Sequence, residues 1–198
     1  MPLGKVAGQR RKWLMNVTAY TLAGVVTSAL VGGGLGIAGA ALLPERLGRV
    51  GMAIALAVAL VALARELGYL AVPLPQIGRQ TQGMWAKRYG ATTAATMWGL
   101  DLGLTFTTWL GMAGPWVLAA VAFLAGGPLI GAALFVGYWL GRALSVWVGP
   151  LLMTSAADTP ALLASLDDQQ RLFRSVHVAA LAWSAVAIGI WTLVGTPT

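Results

Sequence analysis

The 198-residue chain is 58% hydrophobic and 10% charged, with a net charge of +7 and no cysteine. Soluble domains carry about 25% charged residues, so a water-exposed surface cannot be assembled here, and the chain reads as an integral membrane protein of all-α class. Without cysteine it can hold no disulfide, no thiolate metal centre and no dithiol redox pair of its own, and its one histidine and six scattered carboxylates give no reason to expect a metal or cofactor.

The segment GKVAGQRRKW precedes the first apolar run, and its basic residues favour a cytoplasmic N-terminus. That run, about 17–43, exceeds a signal-peptide core and reads as a retained first span. It is expected to be interrupted at GGGLG, with Gly32, Gly33 and Gly34 as a hinge. The second span covers about 50–72 and ends at VPLPQ, where proline favours extended backbone. The basic segment 79–90 follows, an interfacial stretch with Trp85 at head-group level. Its charge sits beside apolar spans with no nucleic-acid motif, so the lipid bilayer, not nucleic acid, is the expected partner.

The next apolar stretch, about 91–125, is too long for one straight crossing. GMAGP should break it, because proline removes a helix hydrogen bond and clashes with the preceding turn. Gly111, Gly114 and Pro115 are therefore a second expected hinge. A further span covers about 128–149, an amphipathic surface segment about 158–175, and a last span about 176–194. The count is five crossings, or six if 91–125 crosses twice. VTSALVGGG at 26–34 echoes FTTWLGMAG at 106–114, as an internal repeat would.

Polar groups inside these spans are the candidate functional residues. At helical spacing Asp101, Thr105 and Thr108 share a stripe, with Gly99 and Gly103 on roughly the opposite side as a close-packing face. Arg65, Glu66 and Arg142 are the other intramembrane charges. Adjacent helix positions do not face each other, so Arg65 and Glu66 should need separate partners. Asp101 is expected to pair with Arg142 or Arg65, and Glu66 with the other arginine. A structural pair fixing helix register is the alternative to a polar pathway. Gly24, Ser28, Gly32 and Gly36 form one small-residue face, and Gly137, Gly141, Ser145 and Gly149 another. No nucleophile–base set or metal cluster appears, so no enzymatic activity is expected.

The runs PLPQIGRQTQGMWAKRYG, WGLDLGLTFTTW and AGGPLIGAALFVGYWLGRAL resemble actinobacterial membrane proteins grouped with the CcdA/DsbD transmembrane family and MauE-like proteins. The resemblance covers roughly 73–145 and implies pseudo-symmetric halves with broken helices, in a bacterial inner-membrane protein. In the redox family a cysteine in each half passes reducing equivalents, often to a thioredoxin-like partner. This chain lacks both cysteines, so that activity does not carry over. Two functions are then expected. The first is a transporter-like protein binding or moving a small polar or anionic solute near Asp101, Thr105, Thr108, Arg65, Arg142 and Glu66. The second is a non-transporting accessory or assembly subunit of a membrane complex, docked to a membrane or thioredoxin-like partner.

Overall fold

A computed structural model describes residues 8–43, 48–75, 77, 83–108, 111–149, 160, 164 and 170–194. Among them the fold is all-helical: α1 (Arg10–Leu42), α2 (Gly48–Leu67), α3 (Trp85–Tyr89), α4 (Ala91–Gly103), α5 (Gly114–Leu124), α6 (Pro128–Val148) and α7 (Gln170–Val194). Four of these helices, α1, α2, α6 and most of α7, are long and apolar enough to cross a membrane. In hydrocarbon the backbone must satisfy its own polar groups, which is why apolar runs of this length become helices. The chain is a polytopic helical membrane protein.

Two expectations change. Helix α1 runs unbroken for 33 residues, straight through Gly32, Gly33 and Gly34. The interruption expected there does not form, because those glycines serve proximity instead. A Cβ on Gly32 would collide with the carbonyl of Gly131, and one on Gly36 with the carbonyl of Gly127. The 91–125 stretch does break, but earlier than GMAGP. Helix α4 ends at Gly103 after 13 residues, and α5 begins at Gly114 with Pro115 in its first turn. Proline is tolerated there because its missing N–H would have no intrahelical partner. It starts a helix instead of kinking one, and Gly111 lies in the non-helical stretch between the two.

The chain divides into two compact units. The first comprises Met1–Ser28, Ile77–Trp109 and Gly137–Arg171. Within it α1 and α6 run antiparallel: Trp13 meets Trp147 edge-on at 5.9 Å, and Tyr20 packs on Trp139 at 4.9 Å. Tyr20, Ala95, Trp139 and Ala143 form the core, with Trp98 and Leu102 of α4 against it. Both indoles of α6 turn their N–H groups to Thr21: Trp139 to its carbonyl at 2.9 Å and Trp147 to its hydroxyl at 3.0 Å. Buried tryptophan needs such a partner for its polar end. The Gly99/Gly103 face closes on α1 as its spacing predicts, Gly99 against the Tyr20 carbonyl and Gly103 against Thr27 and Gly24.

The second unit comprises Ala29–Gln76, Leu110–Val136 and Leu172–Thr198. Its core sets Ala55, Ala59 and Ala62 of α2 against Ala113 and Val117, with Leu181, Ala185 and Ile188 of α7. The i, i+4, i+7 spacing of those alanines gives α2 a flat face that neighbours approach closely. The small-residue face of α6 is not used in this way. A Cβ added at Gly137, Gly141 or Gly149 would have nothing within 4 Å, and Ser145 is exposed. The α6 face that packs carries Phe135, Trp139 and Ala143 instead. Of the interfacial segment 79–90, residues 83–90 are described and contain α3; most of 158–175 lies outside the described residues.

Candidate functional site

The polar residues singled out in the sequence fall into two groups, one in each unit. In the first unit Asp101 occupies the last turn of α4, while Thr105 and Thr108 lie beyond its end. The expected continuous stripe is thus cut at Gly103, yet all three residues are buried. They come together through the chain's need to finish a helix inside an apolar medium.

The last four carbonyls of a helix have no intrahelical donor. In α4 each finds one. Leu104 N donates to Leu100 O at 3.3 Å, and Thr105 N to Leu102 O at 3.2 Å. Thr107 Oγ1 donates to Asp101 O at 3.3 Å. Gly103 O accepts from Thr105 Oγ1 at 3.3 Å and from Ser28 Oγ of α1 at 3.0 Å. Thr108 Oγ1 then donates to Thr105 O at 3.3 Å. Thr105 takes a left-handed conformation with φ 63°, the one positive φ outside glycine among the described residues. That conformation costs a β-branched residue about 1–2 kcal/mol. Arg142, on α6, turns over the ring of Tyr138 at 5.8 Å, and its Nη1 is buried without a hydrogen-bond partner among the described residues.

In the second unit Glu66 is the centre. Its Oε1 accepts from Arg65 Nη1 at 2.6 Å and from the backbone N–H of Ala113 at 2.9 Å. The expectation that Arg65 and Glu66 need separate partners is corrected here. Their Cβ atoms diverge, but the long arginine side chain swings back at the end of α2, where its Nε also donates to Val72 O at 2.8 Å. Ala113 immediately precedes α5, so the Glu66 carboxylate sits at that helix's positive N-terminus. Arg174 Nε donates to Glu66 O at 3.2 Å, capping the negative end of α2. A Cβ on Gly114 would press on the His177 ring at 2.8 Å, and Pro115 is fully buried. A side chain at Gly114 would have to displace that ring.

Arg174 escapes sequence reasoning because its contact is with a backbone carbonyl 108 residues away. Ser28 left a signal in the Gly24–Ser28–Gly32–Gly36 spacing, and Thr107 one in the Thr-Thr pair of the echo. Asp101 and Arg142 belong to the first unit, Arg65 and Glu66 to the second.

No protein-family model matches the chain. No solved structure matches it either. Among curated proteins it is similar to the methylamine utilization protein MauF of Paracoccus versutus, with 29% identity over 157 residues, or 77% of this chain. The chain spans 56% of that relative's length. This similarity supports the MauE-like side of the resemblance; none of the comparisons supports the CcdA/DsbD side. Taken with the four long apolar helices among the described residues, the chain is a multi-pass membrane protein with weak similarity to a methylamine utilization protein.

Proposed function

We propose that the protein is a non-transporting accessory or assembly subunit of a membrane complex, with a cytoplasmic N-terminus and no catalytic activity of its own. One observation carries this reading: most of the candidate polar residues, Thr105, Thr108, Glu66 and Arg65, are engaged with backbone groups. Ser28, Thr105, Thr107 and Thr108 terminate α4, Glu66 caps the start of α5, and Arg174 caps the end of α2. Groups tied up in this way hold a scaffold rigid and leave little to bind a solute. The similarity to MauF supports a role in methylamine utilization.

A transport function is the second reading, favoured by one feature: a helix that breaks among buried hydroxyls beside a buried carboxylate, the usual setting of a transporter's central site. In that reading Asp101 and Arg142 are the charged pair of the pathway. The cysteine-free background separates the two. Single cysteines at Asp101, Thr105 and Thr108 are labelled with a membrane-impermeant thiol reagent, with Ala95→Cys as a buried control and Tyr89→Cys as an exposed one. The accessory reading expects all three positions to be inert in folded protein and reactive after denaturation. Labelling of Thr105→Cys and Thr108→Cys at the rate of the exposed control would overturn it in favour of transport.

A further inference from the structure

Arg142 places a permanent positive charge within a membrane span. A guanidinium does not lose its proton in a folded protein, and α6 carries this one about 9 Å inside its C-terminal end, at 1.5 Å per residue. Its Nη1 is buried and has no hydrogen-bond acceptor among the described residues. Nor does any carboxylate among them lie within ion-pair distance of it. Its neighbours are the neutral phenols of Tyr138 and Tyr20. An arginine escaping the hydrocarbon would extend toward the near end of its helix. This one stands over the ring of Tyr138, one turn deeper, at 5.8 Å.

The helix face beside it is open as well. Gly137, Gly141, Ser145 and Gly149 repeat every four residues along α6. Arg142 borders that row, about 60° round the helix from Ser145. The comparable rows on α1 and α4 are filled: a Cβ added at Gly24, Gly32, Gly36, Gly99 or Gly103 would strike a neighbouring element. Added at Gly137, Gly141 or Gly149 it would meet nothing within 4 Å, and Gly137, Gly141 and Ser145 are exposed. Glycine in a helix interior lowers stability relative to alanine, a loss that is offset where a second helix approaches closely.

We infer that Arg142 and the small-residue face beside it dock a transmembrane helix of another protein, one that carries a carboxylate at the depth of Arg142. The charge selects the occupant. A second copy of this chain, related by a two-fold axis, would set Arg142 against Arg142, and the intramembrane carboxylates Glu66 and Asp101 are buried. A phospholipid phosphate would suit a guanidinium reaching outward to the head groups, not one turned along its span. A carboxylate on a neighbouring helix meets Nη1 where it stands, and charged groups inside membranes are held by such pairing. The inference rests on the accessory reading and gives the chemistry of its partner. That reading fails if Thr105→Cys and Thr108→Cys are labelled; the docking inference fails on the contact alone.

A designed probe tests it: a polyleucine transmembrane peptide with glycine at four-residue spacing and one glutamate beside that row. It is reconstituted in lipid vesicles with the full chain carrying a fluorophore at Tyr89→Cys, and energy transfer gives its affinity as a peptide-to-lipid ratio. A second peptide has glutamine in place of glutamate. The glutamate peptide is expected to bind about tenfold more tightly, as one polar contact between membrane helices allows. That advantage should disappear in Arg142→Gln and persist in Arg65→Gln, which lies in the other unit. Gly141→Leu, which has room for its side chain, should weaken binding of both peptides. Absent or equal binding of the two peptides to the unaltered chain, a comparison that needs no Arg142 variant, would overturn the inference. An advantage that survives Arg142→Gln would do the same. So would energy transfer between copies of the chain that Gly141→Leu abolishes, or an anionic phospholipid that copurifies only when Arg142 is present and that the glutamate peptide does not displace.

Discussion

Replacing Glu66 with alanine removes the one oxygen, Oε1, that accepts from both Arg65 and Ala113, and the two losses have different sizes. Ala113 N–H, buried beside Glu66, would be left without its 2.9 Å acceptor. An unsatisfied buried donor costs about 1–3 kcal/mol. The Arg65 contact counts for less. At 24% exposure that guanidinium remains reachable by water, and such pairs contribute about 0–1 kcal/mol. The sum is about 1–4 kcal/mol. For a chain of this size 1 kcal/mol moves Tm by about 3 °C, so Glu66→Ala should unfold about 3–12 °C earlier. Glu66→Gln keeps a carbonyl oxygen for Ala113 and loses only the charge, about 1 kcal/mol. The assay is Tm of the three proteins in nanodiscs, together with hydrogen exchange at the Ala113 amide. Protection there should be kept in Glu66→Gln and lost in Glu66→Ala. Two variants of equal stability, or an Ala113 amide protected in both, would refute the assignment of this carboxylate as the anchor of α5.

Three other substitutions check separate parts of the structure. Gly32→Val should abolish stable expression, because its side chain enters the Gly131 backbone, whereas Gly34→Ala, with nothing within 4 Å, should gain about 0.5–1 kcal/mol of stability from helix propensity. A fall in Tm for Gly34→Ala would mean that α1 needs a flexible point there. Thr105→Gly should be tolerated better than Thr105→Val by about 1–2 kcal/mol, since both lose the hydroxyl but only glycine accepts φ 63° without strain; comparing their unfolding temperatures is sufficient, and the reverse order would deny the left-handed turn. Arg174→Gln should lower stability by about 1–2 kcal/mol by uncapping α2, seen as faster hydrogen exchange of Leu67 and Gly68 with little change in α6.

How much of this was legible in the chain differs from element to element. Apolar run length located α1, α2, α6 and α7, because a bilayer imposes one length on every crossing. The Gly99/Gly103 spacing correctly announced a close approach. The same residue type misled at Gly32–Gly34, where glycine reads as a weak point but a neighbouring backbone makes it a contact surface. The break at Gly103 was misplaced for a related reason. Pro115 marks where a helix can begin, while the end of the preceding helix is decided by hydroxyls, one of them 75 residues away on Ser28. Glu66 was recognisable as a buried charge, but its partners were not. Ala113 and the Arg174 guanidinium reach it from distant segments, and no local pattern encodes that.

The adjacency of Arg65 and Glu66 has a consequence for the order of biogenesis. A membrane chain is made from its N-terminus. When α4 is completed, Ser28 has long been synthesised and is available to receive the Gly103 carbonyl. Glu66 is in the opposite position: Ala113 and Arg174 are added 47 and 108 residues later. Until they arrive, a carboxylate at the end of a newly made span has only what lies beside it in sequence. Arg65 is that neighbour, present from the moment Glu66 exists. Of the carboxylate's two described contacts, the one to Arg65 can therefore form as soon as α2 is complete, and the one to Ala113 only after 47 more residues.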